Sequence, residues 1–375
     1  MPDLVAVDLP AGQAFVQAMQ RAWDRGDAVL PVDGRLPGPA VDRLLNALRP
    51  TTVVGPDGSH PRSGGTPVGD GDALVVATSG TTGEPKGVVL THAAVQASAL
   101  ASSRRLEVDP SSDRWVACLP LAHIGGLSVL TRAIVTGTPY TLFERFDPEA
   151  VEGEARRGAT RVSLVATALR RTNTTGYRTV LLGGAAPPEH LPDNVVTTYG
   201  MTETGSGIVY DGLALDGVEL RIGDGQLGAD GEVLVRGPML MRLYRDGTDP
   251  RLPGGWLPTG DAGSLDQHGR LSVLGRTAEV IVTGAEKVWP STVESVLARH
   301  PGVAEVAVWR RPDPEWGHRV VAWVVPADPS TPPTLASLRA AVSEQLAPWA
   351  APKELVVVVT LPRTSSGKLQ RSRLT

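Results

Sequence analysis

The densest chemistry in the chain lies in Thr78-Ser79-Gly80-Thr81-Thr82-Gly83-Glu84-Pro85-Lys86-Gly87. Three glycines and four hydroxyls in ten residues make a loop rich in approachable backbone N–H groups and side-chain donors. Such a loop can surround phosphate oxygens, and Lys86 adds a cation beside them. It is not a Walker loop, because Gly80 and Gly83 lack the four-residue gap and the terminal Gly-Lys-Ser/Thr. Taken alone, the segment also fits an ordinary Gly/Thr-rich surface loop.

The element that must carry the loop is the apolar run Leu74-Val75-Val76, which reads as a buried strand. Similar runs at Trp115–Cys118, Val162–Val165 and Val180–Leu182 alternate with amphipathic stretches at His92–Arg104 and Ala150–Arg157. That rhythm predicts an α/β fold, with mostly parallel sheets flanked by helices. Upstream, Phe15, Met19 and Trp23 recur at helical spacing, and Val41, Leu44, Leu45 and Leu48 predict a second helix. The stretch from Gly55 to Asp72, both included, holds six glycines and three prolines with almost nothing apolar, which predicts a surface linker. After a short strand at Leu271–Gly275, a new unit begins near Arg276. Its expected elements are a helix opening at Pro290-Ser291, strands at Val303–Trp309 and Val320–Val325, a helix at Leu335–Leu346 and a strand at Leu355–Thr360. The expected organisation is a large N-terminal domain at 1–275 and a small α+β C-terminal domain at 276–375.

Composition narrows the function classes. The formal charge is −4, from 36 basic and 40 acidic residues, so there is no nucleic-acid footprint and no polybasic membrane patch. An anionic ligand must then be held locally, by loops and helix ends. No run of about 18 apolar residues occurs, so membrane insertion is not expected. The opening Met1-Pro2-Asp3-Leu4 lacks the basic start of a secretory signal. A lone Cys118 gives no internal disulfide and no thiolate metal cluster, and it fits a reducing cytoplasm as a small buried hydrophobe. Whether the chain is a monomer or a homodimer is left open.

Four further motifs follow the loop in order. They are Tyr199-Gly200-Met201-Thr202-Glu203, Trp256-Leu257-Pro258-Thr259-Gly260-Asp261, Gly275-Arg276 with Ile281 and Gly284, and Pro362-Arg363-Thr364-Ser365-Ser366-Gly367-Lys368. Together the five resemble the ordered signatures of adenylate-forming enzymes: acyl- and aryl-CoA synthetases, luciferases and peptide-synthetase adenylation domains. The resemblance spans Ser79 to Lys368. It implies an ATP-dependent acid–thiol ligase using Mg²⁺ and CoA, with a region abbreviated before residue 73 and a mobile C-terminal lid.

The implied chemistry is attack of a carboxylate on the α-phosphate of ATP, which pushes two anions together and expels pyrophosphate. A site must neutralise the phosphates, align the nucleophile and exclude water. The resemblance assigns Ser79, Gly80, Thr81, Thr82, Gly83 and Lys86 to the β- and γ-phosphates, and Thr202 to the α-phosphate region. Glu203 is implied as the Mg²⁺ ligand, an oxygen donor for a hard cation. Asp261 and Arg276 are implied for the ribose hydroxyls, and Tyr199 for stacking on adenine beside Gly183, Gly184 and Ala185, with Gly200 in the same motif. Lys368 is implied as the cation on the attacked phosphate; without its motif it reads as a solvated tail lysine.

The acid pocket is expected to start at Leu119–Leu127, where His123 fits a histidine that lines the acid site in many acyl-CoA synthetases; it also fits a satisfied core histidine. Segments Leu119–Ile134, Ser163–Leu169 and Tyr199–Gly217 resemble o-succinylbenzoate–CoA ligases of menaquinone biosynthesis, in particular their short actinobacterial members. This implies conversion of o-succinylbenzoate, ATP and CoA to the acyl-CoA, AMP and pyrophosphate through an acyl-adenylate. That acid carries two carboxylates, so the one not adenylated needs a donor such as Arg132, Thr167 or Ser206. Arg132 fits equally as a surface arginine on a helix. Two positions depart from the family pattern: Ala278 stands where the hinge often carries Asp, and the Gly-Gly of the thiol tunnel is Gly284-Ala285. Another aryl or acyl ligase, a carrier-loading adenylation enzyme and a non-catalytic nucleotide-binding module remain as alternatives. No carrier domain follows Lys368, which favours free CoA, and retention of Glu203, Asp261, Arg276 and Lys368 favours catalysis.

Overall fold

The structure, a computed structural model, describes residues 1–79, 84–188, 190–223, 230–284, 286–363 and 369–374. Chain contacts group into two units. The first comprises Met1–Leu220, Val235–Leu257 and Gly269–Leu271; the second comprises Arg221–Leu234, Pro258–His268 and Ser272–Thr375.

The first unit is built on two seven-stranded sheets. One contains β1 (Leu4–Val7), β2 (Ala28–Pro31), β3 (Thr52–Gly55), β4 (Gly58–Pro61), β5 (Asp72–Ser79) and β6 (Pro85–Thr91), in the order β6-β5-β2-β1-β3-β4. The short strand Leu243–Tyr244 pairs antiparallel along the outer edge of β6. β1 runs parallel to β2 and β3, and β2 parallel to β5, so the opening segment is a βαβαβ unit. Its helices are α1 (Gln13–Asp24) and α2 (Gly38–Leu48), as their spacing predicts. β1 and β2 are missing from the sequence reading, because four-residue apolar runs carry no period of their own beside two strong helical patterns. Burial explains them: every residue of both strands is buried.

The expected linker from Gly55 to Asp72 is a linker only in part. Residues 52–61 form the β3–β4 hairpin, with Gly55 opposite Gly58, and Gly58 has φ +114°, a conformation that suits glycine. β4 is exposed throughout, so hairpin hydrogen bonds rather than apolar burial make it a strand.

The second sheet has the order β13-β12-β11-β10-β9-β7-β8. Its strands are β7 (Trp115–Ala117), β8 (Tyr140–Leu142), β9 (Arg161–Leu164), β10 (Thr179–Leu182), β11 (Val195–Met201), β12 (Ser206–Tyr210) and β13 (Leu213–Ala214). β8, β7, β9, β10 and β11 are mutually parallel, and β12 turns back antiparallel to β11. Around it lie α3 (His92–Arg105), α4 (Ile124–Thr136), α5 (Pro148–Arg156) and the single turn α6 (Ala166–Leu169). Sequence explains their ends. Thr91 caps α3 by accepting from the Ala94 N–H at 3.1 Å, and Gly137 at φ +68° ends α4.

The second unit holds most of a four-stranded sheet ordered Glu219–Ile222, Gly231–Arg236, Leu257–Leu265, Leu271–Arg276. It also contains the hairpin Ile281–Thr283/Glu286–Val288 and a three-stranded sheet of Val303–Asp313, Gly317–Pro326 and Glu354–Val357. Helices Pro290–Leu297 and Leu335–Ser343 cover it, and Val293, Leu297, Val308, Val320, Leu338 and Val342 are buried in one core.

Candidate functional site

In a parallel sheet, the segments leaving the carboxyl ends of the strands share one edge, where ligand crevices form. Four such segments carry expected site residues. Leu119–His123 follows β7, Val165–Thr167 follows β9, Gly183–Ala185 follows β10, and the turn Thr202–Thr204 follows β11. Two glycines here answer to a neighbouring strand. A Cβ on Gly183 would meet Thr198 Oγ1 at 2.5 Å, and one on Gly200 would meet the Ser206 carbonyl oxygen at 2.1 Å. Gly200 therefore lets β12 close onto β11 where the register shifts between Tyr199 and Gly200. Tyr199 lies on the same strand, opposite Val209.

The turn bearing Thr202 and Glu203 is held from inside by Thr204. That side chain is buried, accepts from the Met201 N–H at 2.9 Å and donates to the Ser206 carbonyl at 2.7 Å. Glu203 is also gripped by the segment beside β6: the Met241 N–H donates to its carbonyl at 2.8 Å, and the Tyr244 hydroxyl donates to Oε1 at 2.9 Å. Lys86, opposite Thr78 in the β5–β6 register, lies with Nζ 5.1 Å from the centre of the Tyr244 ring. Arg242 anchors this segment through two bonds to the buried Asp72 at the start of β5, at 2.8 and 2.7 Å. The structure thus brings Lys86 and Glu203 to one place, through a tyrosine that sequence reasoning missed. No family motif pointed to it; its signal was only a lone aromatic between arginines.

One carboxylate supplemented by phosphate and water oxygens is the coordination Mg²⁺ favours. Glu203 fits that role, and among the described residues no cluster of three or more His, Cys, Asp or Glu assembles into a fuller cage.

Arg132 is not a surface arginine. It is 2% exposed, in the middle of α4. Its Nε donates to Ser102 Oγ at 2.7 Å, its Nη2 lies 3.5 Å from the Tyr210 hydroxyl, and its guanidinium stacks 5.0 Å from the Trp115 ring centre. Nη1 is buried with no hydrogen-bond partner. Nearby on α4 and β12, the buried Ser206 hydroxyl donates to Ser128 at 3.0 Å. A buried cation without a carboxylate is costly, and Arg132 forms no ion pair with any described residue. The pattern suits an anionic ligand.

His123 stands at the amino end of α4, about half exposed, with Nε2 3.1 Å from Arg35 Nη2 and 3.5 Å from Asp33 Oδ2. Arg35 holds the Asp33 carboxyl below its usual range by hydrogen bonding, against the opposing effect of burial. Sequence reading missed both partners, which sit on the turn after β2. Thr167 is exposed in the α6 turn.

In the second unit, Asp261 and Arg276 are brought together: Oδ1 and Nε are 2.9 Å apart, with Asp261 largely buried and Arg276 half exposed. Gly260, at φ +71°, bends the strand so that Arg276 Nη1 reaches the Thr259 carbonyl at 3.1 Å. Gly284, at φ +64°, packs against Trp316, and a Cβ there would lie 3.1 Å from its ring. Glu279, beside the departure at Ala278, pairs with Arg371 at 3.2 Å. The base of the terminal loop is closed by the Arg363–Leu369 bridge and by the Gln370 N–H donating to Pro362 at 2.9 Å. Gly80, Thr81, Thr82, Gly83, Ala285 and Lys368 lie outside the described residues, and for Ser79 only the backbone, at the end of β5, is described.

Residues 60–245 match the AMP-binding enzyme family and residues 292–368 the AMP-binding enzyme C-terminal domain. The chain belongs to the AMP-binding enzymes, the family that its motifs and its two-unit fold define. Within that family it is 40% identical over 365 residues to the probable 2-succinylbenzoate–CoA ligase of Mycobacterium tuberculosis, covering 90% of this chain and 93% of that protein. Among solved structures it is similar to o-succinylbenzoate CoA synthetase from Bacillus subtilis in complex with the acyl-adenylate intermediate OSB-AMP, at a TM-score of 0.87, 30% identity and coverage of 99% of this chain and 88% of that one. The same enzyme in complex with ATP and magnesium ion gives a TM-score of 0.86 at 30% identity, covering 99% of this chain and 89% of that one. No described helix is long and apolar enough to cross a membrane.

Proposed function

We propose that the chain is a cytoplasmic, ATP- and Mg²⁺-dependent ligase that joins 2-succinylbenzoate to CoA through an acyl-adenylate, releasing AMP and pyrophosphate. The observation that carries the acid assignment is Arg132, a buried cation with an unpartnered Nη1 beside the Ser128–Ser206 hydroxyl pair. Such a group favours an acid with a second carboxylate over a fatty acid or benzoate. The 40% identity to the mycobacterial protein and the likeness to the Bacillus enzyme support the same substrate.

In this reading the glycine-rich loop, Ser79–Gly83 with Lys86, grips the β- and γ-phosphates. Thr202 donates to the α-phosphate region, and Glu203 offers an oxygen to Mg²⁺, which when bound neutralises phosphate charge. Asp261 and Arg276 take the ribose diol as acceptor and donor, and their pairing pre-orients both. Tyr199 stacks on adenine near Gly183–Ala185, and His123, with Thr167, lines the acid entrance. Segment 276–375 acts as the lid, carrying Lys368 to the attacked phosphate and the Gly284–Ala285 turn to the thiol path. A binding module that kept the loop and lost the chemistry would still use Lys86 and Arg276 to hold the nucleotide, but it would need no lid-borne cation such as Lys368.

Acid-dependent exchange of pyrophosphate with ATP tests the reading. 2-Succinylbenzoate should drive exchange and thioester formation far better than benzoate or a medium-chain fatty acid. An equal kcat/KM for the fatty acid would remove the acid assignment, and no exchange with any acid would remove the enzyme assignment.

A further inference from the structure

Lys86 and Glu203 carry opposite charges and share a neighbour, yet no ion pair within 4.0 Å joins them. A direct Lys86–Glu203 pair would neutralise both. The ammonium would then be less available to phosphate, and the carboxylate less available to a divalent ion. Tyr244 engages the two separately. Its hydroxyl donates to Glu203 Oε1 at 2.9 Å, and its ring lies 5.1 Å from Lys86 Nζ. A phenol suits both tasks: the O–H is a donor for an anion, and the electron-rich face attracts a cation.

The placement of Tyr244 is itself built in. Leu243–Tyr244 pairs with Val89 and Val88 of β6, the strand that also carries Lys86. Two residues earlier, the bidentate Arg242–Asp72 pair fixes the segment to β5, and the Met241 N–H holds the Glu203 backbone. The tyrosine is thus tied to the strands on both sides of the glycine-rich loop and to the turn bearing Glu203.

We propose that Tyr244 is a positioning residue: it orients one oxygen of Glu203, leaves the other for Mg²⁺, and holds Lys86 apart from that carboxylate so that each serves a different partner. This rests on the reading of Glu203 as the metal ligand. Removing a hydrogen bond to a metal-binding carboxylate commonly weakens metal affinity by about 10–100-fold. Tyr244→Phe keeps the ring under Lys86 and deletes only the hydroxyl. It should raise the Mg²⁺ concentration for half-maximal exchange by about tenfold, while ATP binding measured by calorimetry without divalent metal stays unchanged. Tyr244→Leu should show the same magnesium defect and also weaken metal-free ATP binding, because Lys86 loses its platform.

A magnesium titration of Tyr244→Phe that overlays the parent enzyme overturns the proposal. So does a lowered melting temperature with no metal shift, which is what a purely packing role would give. Glu203→Gln, run in parallel, separates the two layers. If it shifts the magnesium titration and Tyr244→Phe does not, only the role of Tyr244 fails; if neither shifts it, Glu203 is not the metal ligand and both fail.

Discussion

Arg132 occupies a helix interior with Ser102, Tyr210 and Trp115 around it and one guanidinium nitrogen unpartnered. An arginine in that setting discriminates by charge and geometry, since its fork matches a carboxylate while an apolar side chain offers nothing. Arg132→Met should therefore lower kcat/KM for 2-succinylbenzoate by about 10–100-fold, the range expected for hydrogen bonds to a charged group. An analogue lacking the second carboxylate should lose much less. The ratio between the two acids is the measurement, because general loosening of the pocket lowers both alike. An unchanged ratio would place the second carboxylate elsewhere. Cys118, by contrast, is buried with its thiol pushed up to about 12 by burial, so it belongs to packing and not to the thiol chemistry.

The strands of the second sheet present site segments at their carboxyl ends, and an ion cluster ties their amino ends. Asp113, just before β7, is fully buried and pairs with Arg161 at the start of β9 at 2.9 Å and with Arg178 beside β10 at 3.1 Å. Burial alone would raise the Asp113 carboxyl, but hydrogen bonds from Arg161, the Asp109 N–H and Thr160 outweigh it and hold the group below its ordinary range. Its stabilising contribution is thus fully present above the ordinary carboxylate pKa of about 4, and is lost as pH falls through the lower folded-state value. Breaking a buried pair from one side costs about 3–5 kcal/mol, so Asp113→Ala should lower the urea midpoint strongly at pH 7. The difference from the parent should shrink toward pH 3. Since the cluster is at the edge away from the site segments, KM for ATP at low temperature should hardly change. A shift in KM with an unchanged midpoint would contradict this division of labour.

At the scale of the whole molecule, the two half-reactions ask for different groups from the second unit. Adenylation needs a cation on the attacked phosphate, for which Lys368 is proposed; thioester formation needs an open path for the thiol, for which the Gly284 turn is proposed. Lys368→Ala should slow adenylate formation by about 10²–10³ and still convert supplied acyl-adenylate and CoA to product. Gly284→Leu should show the opposite pattern, because a side chain at φ +64° is strained and presses on the Trp316 ring. Single-turnover assays of each half-reaction read this directly, and equal slowing of both by Lys368→Ala would remove the alternation of the lid.

Much of this was legible in the order of residues. The βαβ rhythm announced the second sheet, helical spacing located α1 and α2, and five ordered motifs identified the family, because these signals depend on near neighbours in the chain. The strands β1 and β2 were not legible, since only pairing with β3 and β5 and complete burial distinguish them from short apolar runs. Nor was the character of Arg132: one position on an apolar helix reads equally as surface or interior until Ser102 and Tyr210 arrive from 30 and 78 residues away. Tyr244 shows the limit most clearly. Its contacts to Lys86 and Glu203 join residues far apart in sequence but adjacent across a sheet edge, and a hydrogen bond has no signature in sequence when its partners are separated by 41 positions. The chain's own residues determined which chemistry is present; packing alone decided which of them meet, because short-range forces act between neighbours in space.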